Sequence, residues 1–198
     1  MKIGILDYGA GNLKNVCRAI EHLGYDYQLI TSPQDVMNAE KLIIPGVGAF
    51  KVAMEQLAAL ELIEPIRQLA EKSIPIMGIC LGMQLLFETS SEFGSTNGLG
   101  ILTGTINPIP DVNSSGDRVK VPHVGWNELI VNNLKSSIIN DLSKNEAVYF
   151  VHSYRVEDFD KADIVAHCTY NDLKIPAIVQ RKNVLGCQFH PEKRGTVG

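Results

Sequence analysis

A cysteine between two glycines is the sharpest chemical signal in the sequence. Segment 78–82 reads Gly-Ile-Cys-Leu-Gly, follows the apolar run 74–77 and precedes a helical pattern. This is a nucleophile-elbow arrangement with the sulfur of Cys80 in place of a serine oxygen. Such a turn exposes the side chain at a helix N-terminus, where the helix dipole favours a thiolate. We therefore predict Cys80 as a nucleophile and the Leu81 N–H as an oxyanion donor, against the alternative of a buried structural cysteine.

A thiolate nucleophile needs a base, and the best candidate lies near the end of the chain. Segment 188–192 reads Gln-Phe-His-Pro-Glu. Side chains alternate along an extended chain, so Gln188 and His190 share one face, and His190 and Glu192 project to the same side. A carboxylate beside an imidazole fixes its tautomer and stabilises the imidazolium. We predict His190 as the base and Glu192 as its orienting group; taken alone, the pair is equally compatible with a solvated strand end.

A second glycine turn, Pro-Gly-Val-Gly-Ala-Phe at 45–50, ends the third predicted strand. It falls at the carboxyl edge of the predicted sheet, where open α/β proteins bind ligands. Its backbone N–H groups could complete an oxyanion hole with Leu81. The alternative is an ordinary strand-to-helix turn.

Metal and dinucleotide sites are poorly supported by the sequence. Cys187 and His190 have a ligand-like spacing, but strand alternation sends them to opposite faces, so we expect no metal. The turn 9–11 carries two glycines without the third of the dinucleotide motif, because Lys14 stands there. We expect no cofactor.

Strand and helix patterns alternate through the first half of the chain. We predict strands at 2–6, 25–30, 41–44 and 74–78. We predict helices at 13–23, 50–57, 62–70 and 82–88, and a short helix starting at Pro33 with Ser32 as its cap. This alternation predicts an α/β fold with a mostly parallel sheet flanked by helices.

From residue 92 onward, the sequence no longer alternates strand and helix patterns. Segments 92–100 and 108–120 are rich in turn residues and predict loops. Apolar runs at 147–151, 163–168, 175–180 and 184–189 are closely spaced, with turn residues at 171–172 and 182–183, and predict mostly antiparallel strands. With no linker evident, we predict one domain over 1–198.

Composition narrows the function classes. The chain has 198 residues, 45% of them apolar and 20% charged, and a formal net charge of −4, which fits a folded globular protein rather than a disordered one. The acidic balance argues against a nucleic-acid partner. No apolar run is long enough to span a membrane, no secretory signal is evident, and the four cysteines are scattered, so we expect a cytoplasmic protein.

The motifs together resemble a known family over nearly the whole chain. Blocks 45–48, 78–84 and 190–192 resemble the class I (triad-type) glutamine amidotransferases, whose fold is flavodoxin-like. Blocks 7–12, 121–127 and 149–154 are similar, more narrowly, to the glutaminase subunits of imidazole glycerol phosphate synthases. All six blocks occur in the family's order.

The resemblance implies roles for individual residues. Cys80 would attack the side-chain amide of L-glutamine, His190 would transfer the proton to ammonia, and Glu192 would orient His190. The implied oxyanion hole is formed by Val47 and Leu81, with Gly48 beside them. The implied glutamine site contains Gln84, Glu92, His152, Ser153 and Tyr154.

The resemblance also implies a partner. In this family the glutaminase forms a heterodimer with a (β/α)₈-barrel cyclase and passes ammonia to it through a channel. The cyclase makes imidazole glycerol phosphate and AICAR phosphate in histidine biosynthesis. Family positions at the interface correspond to Asn12, Trp126, Tyr149 and Lys193.

Two departures from the family pattern stand at the chain's end. Arg194 occupies a position where the family usually has a small hydroxyl residue, and the family's further C-terminal helix is expected to be missing after 195–198. Three alternatives remain at this point: a glutaminase supplying another synthase, for example in surface-sugar biosynthesis; a non-catalytic scaffold; and a cysteine protease.

Overall fold

The structure is a computed structural model that describes residues 2–133, 136–139 and 146–193; Arg194 and segment 195–198 lie outside the described residues. The helices of the described part are α1 (Leu13–His22), α2 (Pro33–Met37), α3 (Phe50–Ala59), α4 (Ile63–Glu71) and α5 (Leu81–Leu85). The strands are β1 (Ile3–Leu6), β2 (Tyr27–Ile30), β3 (Leu42–Ile44), β4 (Ile76–Ile79), β5 (Phe87–Ser90), β6 (Thr96–Asn97), β7 (Leu102–Pro108), β8 (His123–Glu128), β9 (Ile130–Val131), β10 (Ala147–His152), β11 (Tyr154–Glu157), β12 (Ile164–Tyr170), β13 (Leu173–Arg181) and β14 (Val184–Cys187). Short 3₁₀ turns cover Ser137–Ile139, Lys161–Asp163 and Pro191–Lys193.

A mixed eight-stranded sheet forms the centre of the fold, in the order β2-β1-β3-β4-β14-β13-β12-β9. The pairs from β2 to β14 are parallel, and those from β14 to β9 are antiparallel. The predicted α/β class, with antiparallel strands in the C-terminal third, is confirmed. The last strand differs in detail, because β14 is antiparallel to β13 but parallel to β4.

Two smaller sheets extend the central one, and the sequence patterns miss most of them. β10 pairs with β8, and a four-stranded sheet has the order β11-β7-β5-β6. The helix predicted over 82–88 is wrong at its end, because α5 stops at Leu85 and β5 starts at Phe87. The apolar residues of α5 are buried, so their pattern does not distinguish a helix from a strand.

Local sequence explains the predicted elements that are confirmed. Ser32 begins α2 as its N-cap: its side-chain oxygen accepts the Asp35 N–H at 3.2 Å, and Pro33 takes the first helical position. Helix α1 buries Val16 and Ile20, which lie four residues apart and therefore on one face.

Apolar residues are buried on both faces of the large sheet. One cluster contains residues of α2 to α5, including Val36, Leu57 and Leu69. The other contains Val16 and Ile20 of α1 with residues of β10, β12, β13 and β14. No helix within the described ranges is long and apolar enough to cross a membrane. The sheet therefore holds the carboxyl ends of β3 and β4 on a rigid support, and the site lies there.

Candidate active site

Cys80 occupies the strand-to-helix turn that the sequence predicts. It is the N-cap of α5, between the end of β4 and Leu81, and its φ of 54° and ψ of −110° are strained for a residue with a side chain. Two glycines permit the turn: a Cβ on Gly78 would lie 2.5 Å from the carbonyl oxygen of Gly82, and one on Gly82 would overlap the carbonyl oxygen of Ile44. The glycines thus let the elbow pack directly on β3 and present the sulfur at a helix start.

A cavity of about 370 Å³ lies above this turn. Its size suits a small-molecule ligand. The predicted residues that line it are Val47, Gly48, Cys80, Leu81, Gln84, Glu92, His152, Ser153, Tyr154 and His190. Pro122 and Val151 also line it and come from the same motif blocks. Segments separated by more than 100 residues in the sequence therefore meet around one sulfur atom.

His190 and Glu192 contact each other as predicted, although on a different backbone. Nδ1 of His190 lies 2.9 Å from Oε1 of Glu192, and both side chains are almost completely buried. The backbone is not extended: Pro191 begins a 3₁₀ turn, and the Lys193 N–H bonds the His190 carbonyl at 3.2 Å. The premise of strand alternation is wrong here, because the compact turn brings residues two apart into contact.

The proton on His190 is held strongly. Burial lowers the pKa of His190, but Cys80 and Glu192 outweigh that effect and raise the pKa to about 9. With a pKa of about 9, His190 is an imidazolium at neutral pH, and its Nδ1 contacts the Glu192 side chain. The stabilisation this proton adds to the fold is fully present below pH 6.5 and is lost as the pH rises through about 9.

Glu192→Gln tests this coupling. Removing the carboxylate charge destabilises the imidazolium, so we expect the pKa of His190 to fall from about 9 by about one pH unit. Histidine ring signals followed by NMR across pH 6 to 10 measure the change. His22 is exposed and does not line the cavity, so its ring signals serve as the internal control. An unchanged His190 titration would contradict the coupling.

The predicted oxyanion donor is engaged in this conformation. The Leu81 N–H donates to the Gly46 carbonyl at 3.3 Å, from the turn that was expected to help it bind an oxyanion. Buried Tyr8 holds the same turn by donating its hydroxyl to the Pro45 carbonyl at 2.8 Å. Burial, and then the nearby Cys80, raise the pKa of Tyr8, so it remains a donor. The oxyanion role predicted for the Leu81 N–H would therefore require the Gly46 carbonyl to move away.

Gln84 and Glu92 both form hydrogen bonds with neighbouring residues of the protein. The Glu92 carboxylate accepts the Phe50 N–H at 2.6 Å, so it caps the start of α3 while lining the cavity. Gln84 donates from Nε2 to the Tyr154 carbonyl at 3.3 Å and to Oε1 of Gln188 at 3.0 Å. The predicted substrate side chains are therefore pre-oriented by buried hydrogen bonds.

His123 and Gln188 are not among the predicted site residues, but each contacts at least one of them. His123 is buried, and its Nδ1 lies 2.9 Å from Nε2 of His152; burial lowers the pKa of each to about 4, so both are neutral at pH 7. Gln188 donates from Nε2 to the Cys80 sulfur at 3.8 Å. The signal for Gln188 was present in the sequence, since alternation put it on the face of His190.

The predicted interface residues lie mainly in one cluster. Trp126 is half exposed and meets the Tyr149 ring edge-on at 5.5 Å, while Nζ of Lys193 lies 4.9 Å from the centre of that ring. Asn12 is exposed at the start of α1, the helix that packs against the Pro191–Lys193 turn.

In the described part of the chain, no group of three or more His, Cys, Asp or Glu residues could hold a metal.

Solved structures share this fold at low sequence identity. A crystal structure of a glutamine amidotransferase matches with a TM-score of 0.71 and 19% identity, covering 99% of this chain and 92% of that one. The structure of PurLQS from Thermotoga maritima matches with a TM-score of 0.71 and 22% identity, covering 100% and 91%. These matches support the architecture.

Sequence relatives are closer. The family model for "Glutamine amidotransferase class-I" matches residues 4–198. The chain is 45% identical to the imidazole glycerol phosphate synthase subunit HisH of Geobacillus sp. (strain WCH70), covering 99% of this chain and 92% of that protein. It is 46% identical to the subunit of that name from Lactococcus lactis subsp. lactis (strain IL1403), covering 100% and 94%. The chain therefore belongs to the class I glutamine amidotransferases, within the family of imidazole glycerol phosphate synthase HisH subunits.

Proposed function

We propose that this protein hydrolyses glutamine to glutamate and ammonia at Cys80. Its sulfur attacks the side-chain amide carbon, and the His190 imidazolium protonates the amide nitrogen as the C–N bond breaks, so that ammonia leaves and a thioester remains. Water then attacks the thioester, with His190 taking the proton, and releases glutamate. The observation that carries the proposal is the Cys80 elbow at the floor of a cavity that His190 also lines, with Glu192 bonded to His190.

The substrate residues take complementary parts in this proposal. The amide of Gln84 and the carboxylate of Glu92 would bind the polar groups of glutamine, Glu92 next to the α-ammonium. The backbone of His152, Ser153 and Tyr154 would bind its amino-acid end. All of them line the cavity, which supports the assignment.

The ammonia released at Cys80 would pass to a partner subunit. Relatives are named as subunits of imidazole glycerol phosphate synthase. We infer a (β/α)₈-barrel cyclase partner that binds the Trp126–Tyr149–Lys193 cluster and Asn12. Aromatic residues are enriched at protein interfaces, and Trp126 is half exposed. A sheltered path keeps ammonia unprotonated and nucleophilic until it reaches the acceptor that yields imidazole glycerol phosphate and AICAR phosphate.

Partner binding would also activate the glutaminase. The Leu81 N–H is bonded to the Gly46 carbonyl, so the oxyanion would lack that donor until the Gly46–Val47 peptide rotates. Val47 is exposed and Gly48 has a φ of 103°, so this turn can respond to a docked partner. The four free cysteines support a reducing compartment, and we place the complex in the cytoplasm.

The test compares glutamate release by the chain alone, with the cyclase, and with the cyclase and its acceptor. We expect the rate to rise by on the order of 10²-fold in the full system, since one oxyanion donor contributes that much. Equal rates in all three mixtures would contradict the coupled function. Activation by a different synthase, but not by the cyclase, would redirect the ammonia to another pathway.

A further inference from the structure

A chain of hydrogen-bonded side-chain amides runs beneath the cavity from a backbone carbonyl to the nucleophile. Nε2 of Gln84 donates to the Tyr154 carbonyl at 3.3 Å and to Oε1 of Gln188 at 3.0 Å. Nε2 of Gln188 then lies 3.8 Å from the sulfur of Cys80, within reach for an N–H donor to sulfur. Gln84 is 6% exposed and Gln188 is 1% exposed, so both amides are largely removed from water.

We call the pair Gln84 and Gln188 the amide relay. The orientation of both amides is determined at the Tyr154 end of the relay. A backbone carbonyl can only accept, so Gln84 must turn its NH₂ group toward Tyr154. The second hydrogen of that NH₂ group points at Gln188, which must therefore present its oxygen. With its oxygen committed to Gln84, the amide of Gln188 must direct its NH₂ group at Cys80. Reversing Gln188 would place two NH₂ groups against each other and an amide oxygen against the sulfur.

The carbonyl that anchors the relay is itself held in place. The Tyr154 oxygen also accepts a hydrogen bond from Nδ1 of His152 at 2.8 Å, so both of its lone pairs are engaged. Nε2 of His152 must then be an acceptor, and it receives Nδ1–H of His123 at 2.9 Å. His123 is fully buried between the rings of Phe150 and Tyr170. The starting point of the relay is therefore rigid.

We propose that Gln188 is a further catalytic residue, whose side-chain N–H stabilises the Cys80 thiolate and whose orientation is imposed by Gln84. The inference rests on the proposed function only in taking Cys80 as the nucleophile. Hydrogen bonds to a charged acceptor are stronger than neutral ones, so the bond favours the thiolate over the thiol. The backbone of Gln188 is also fixed, because its N–H bonds the Ala177 carbonyl at 2.9 Å. Gln84 acts through Gln188 and is in this respect a positioning residue.

The experiment measures the pH dependence of Cys80 alkylation by iodoacetamide, followed by mass spectrometry of the Cys80 peptide. Gln188→Met keeps the length of the side chain and removes the donor. We expect the alkylation midpoint to move up by about one pH unit, the effect of losing one hydrogen bond to a charged group. Gln188→Glu should move it further, because a carboxylate would face the thiolate. An unchanged midpoint in a folded Gln188→Met protein would overturn the proposal.

A double variant tests whether Gln84 acts on Cys80 through Gln188 or whether the two side chains affect the alkylation midpoint independently. Gln84→Met should move the midpoint in the same direction, and the double variant Gln84→Met/Gln188→Met should match Gln188→Met alone. Additive shifts would refute the imposed orientation. Gln180→Met is the matched control: its amide bonds Ser136 and the Lys182 carbonyl, away from Cys80, and its midpoint should equal that of the unsubstituted protein.

Gln188→Asn covers the case in which Gln188→Met does not fold. It keeps the amide but withdraws the donor from the sulfur by one methylene, so its midpoint should also rise, and an unchanged midpoint would overturn the proposal. Alkylation does not require glutamine turnover. Loss of the proposed glutaminase function would therefore appear as absent glutamate release, with the midpoint shifts still present.

Discussion

Cys80→Ala is expected to reduce glutamine-dependent synthesis in the complex with the cyclase by a factor on the order of 10⁴ or more. The reason is that no thioester can form without the sulfur, while the other residues that line the cavity remain in place. Ammonia-dependent synthesis should persist, because it bypasses the Cys80 site. The measurement compares product formation from glutamine and from ammonium salts under otherwise identical conditions.

The matched control is Cys17→Ala. Cys17 is a half-buried thiol on α1 and does not line the cavity, so both nitrogen sources should still be used. Retained glutamine use by Cys80→Ala would remove Cys80 from the mechanism. Loss of both activities in an intact complex would mean that the substitution acts on the structure rather than on the chemistry.

Gly82→Ala is expected to damage the fold and the site together. The added methyl group would overlap the Ile44 carbonyl oxygen and lie 2.8 Å from the Ile44 carbonyl carbon, both of them backbone atoms of β3. Backbone in the centre of a sheet yields little, so β3 and α5 must separate. We expect the free energy of unfolding to fall by about 3 kcal/mol, the upper end for overpacking.

Moving α5 away from β3 should also slow alkylation of Cys80, because Cys80 lies in the turn that packs on the backbone of Ile44 and Pro45 through Gly82. Chemical denaturation gives the stability, and iodoacetamide labelling below the unfolding transition gives the reactivity. Gly100→Ala is the control: its methyl group meets open space, and its φ of 63° costs about 1 kcal/mol for a residue with a side chain. The steric account fails if Gly82→Ala is no more destabilised than Gly100→Ala.

Regular local patterns account for the parts of the fold that the sequence predicted correctly. The Ser32–Pro33 start of α2 and the Cys80 turn between strand and helix depend on neighbours a few residues apart. The strands β7, β8 and β11 were not predicted. Their edges pair with distant partners, as when Tyr154 lies opposite Pro108, and such pairing leaves little local signature. The helix predicted to continue to residue 88 failed at Phe87 for the same reason, since Phe87 pairs with Leu102.

The sequence by itself determined which groups can react and where the chain must turn around them: Cys80 lies between Gly78 and Gly82, and His190 lies two residues before Glu192. It could do so because nucleophile, base and glycine turn are properties of residue type and near spacing. Tertiary structure alone decided that Leu81 is bonded to Gly46, and that Gln188 directs its N–H at the Cys80 sulfur. Hydrogen-bond direction depends on which acceptor lies opposite each donor. Here the partners lie 35 and 108 residues apart, and the fold alone brings them together.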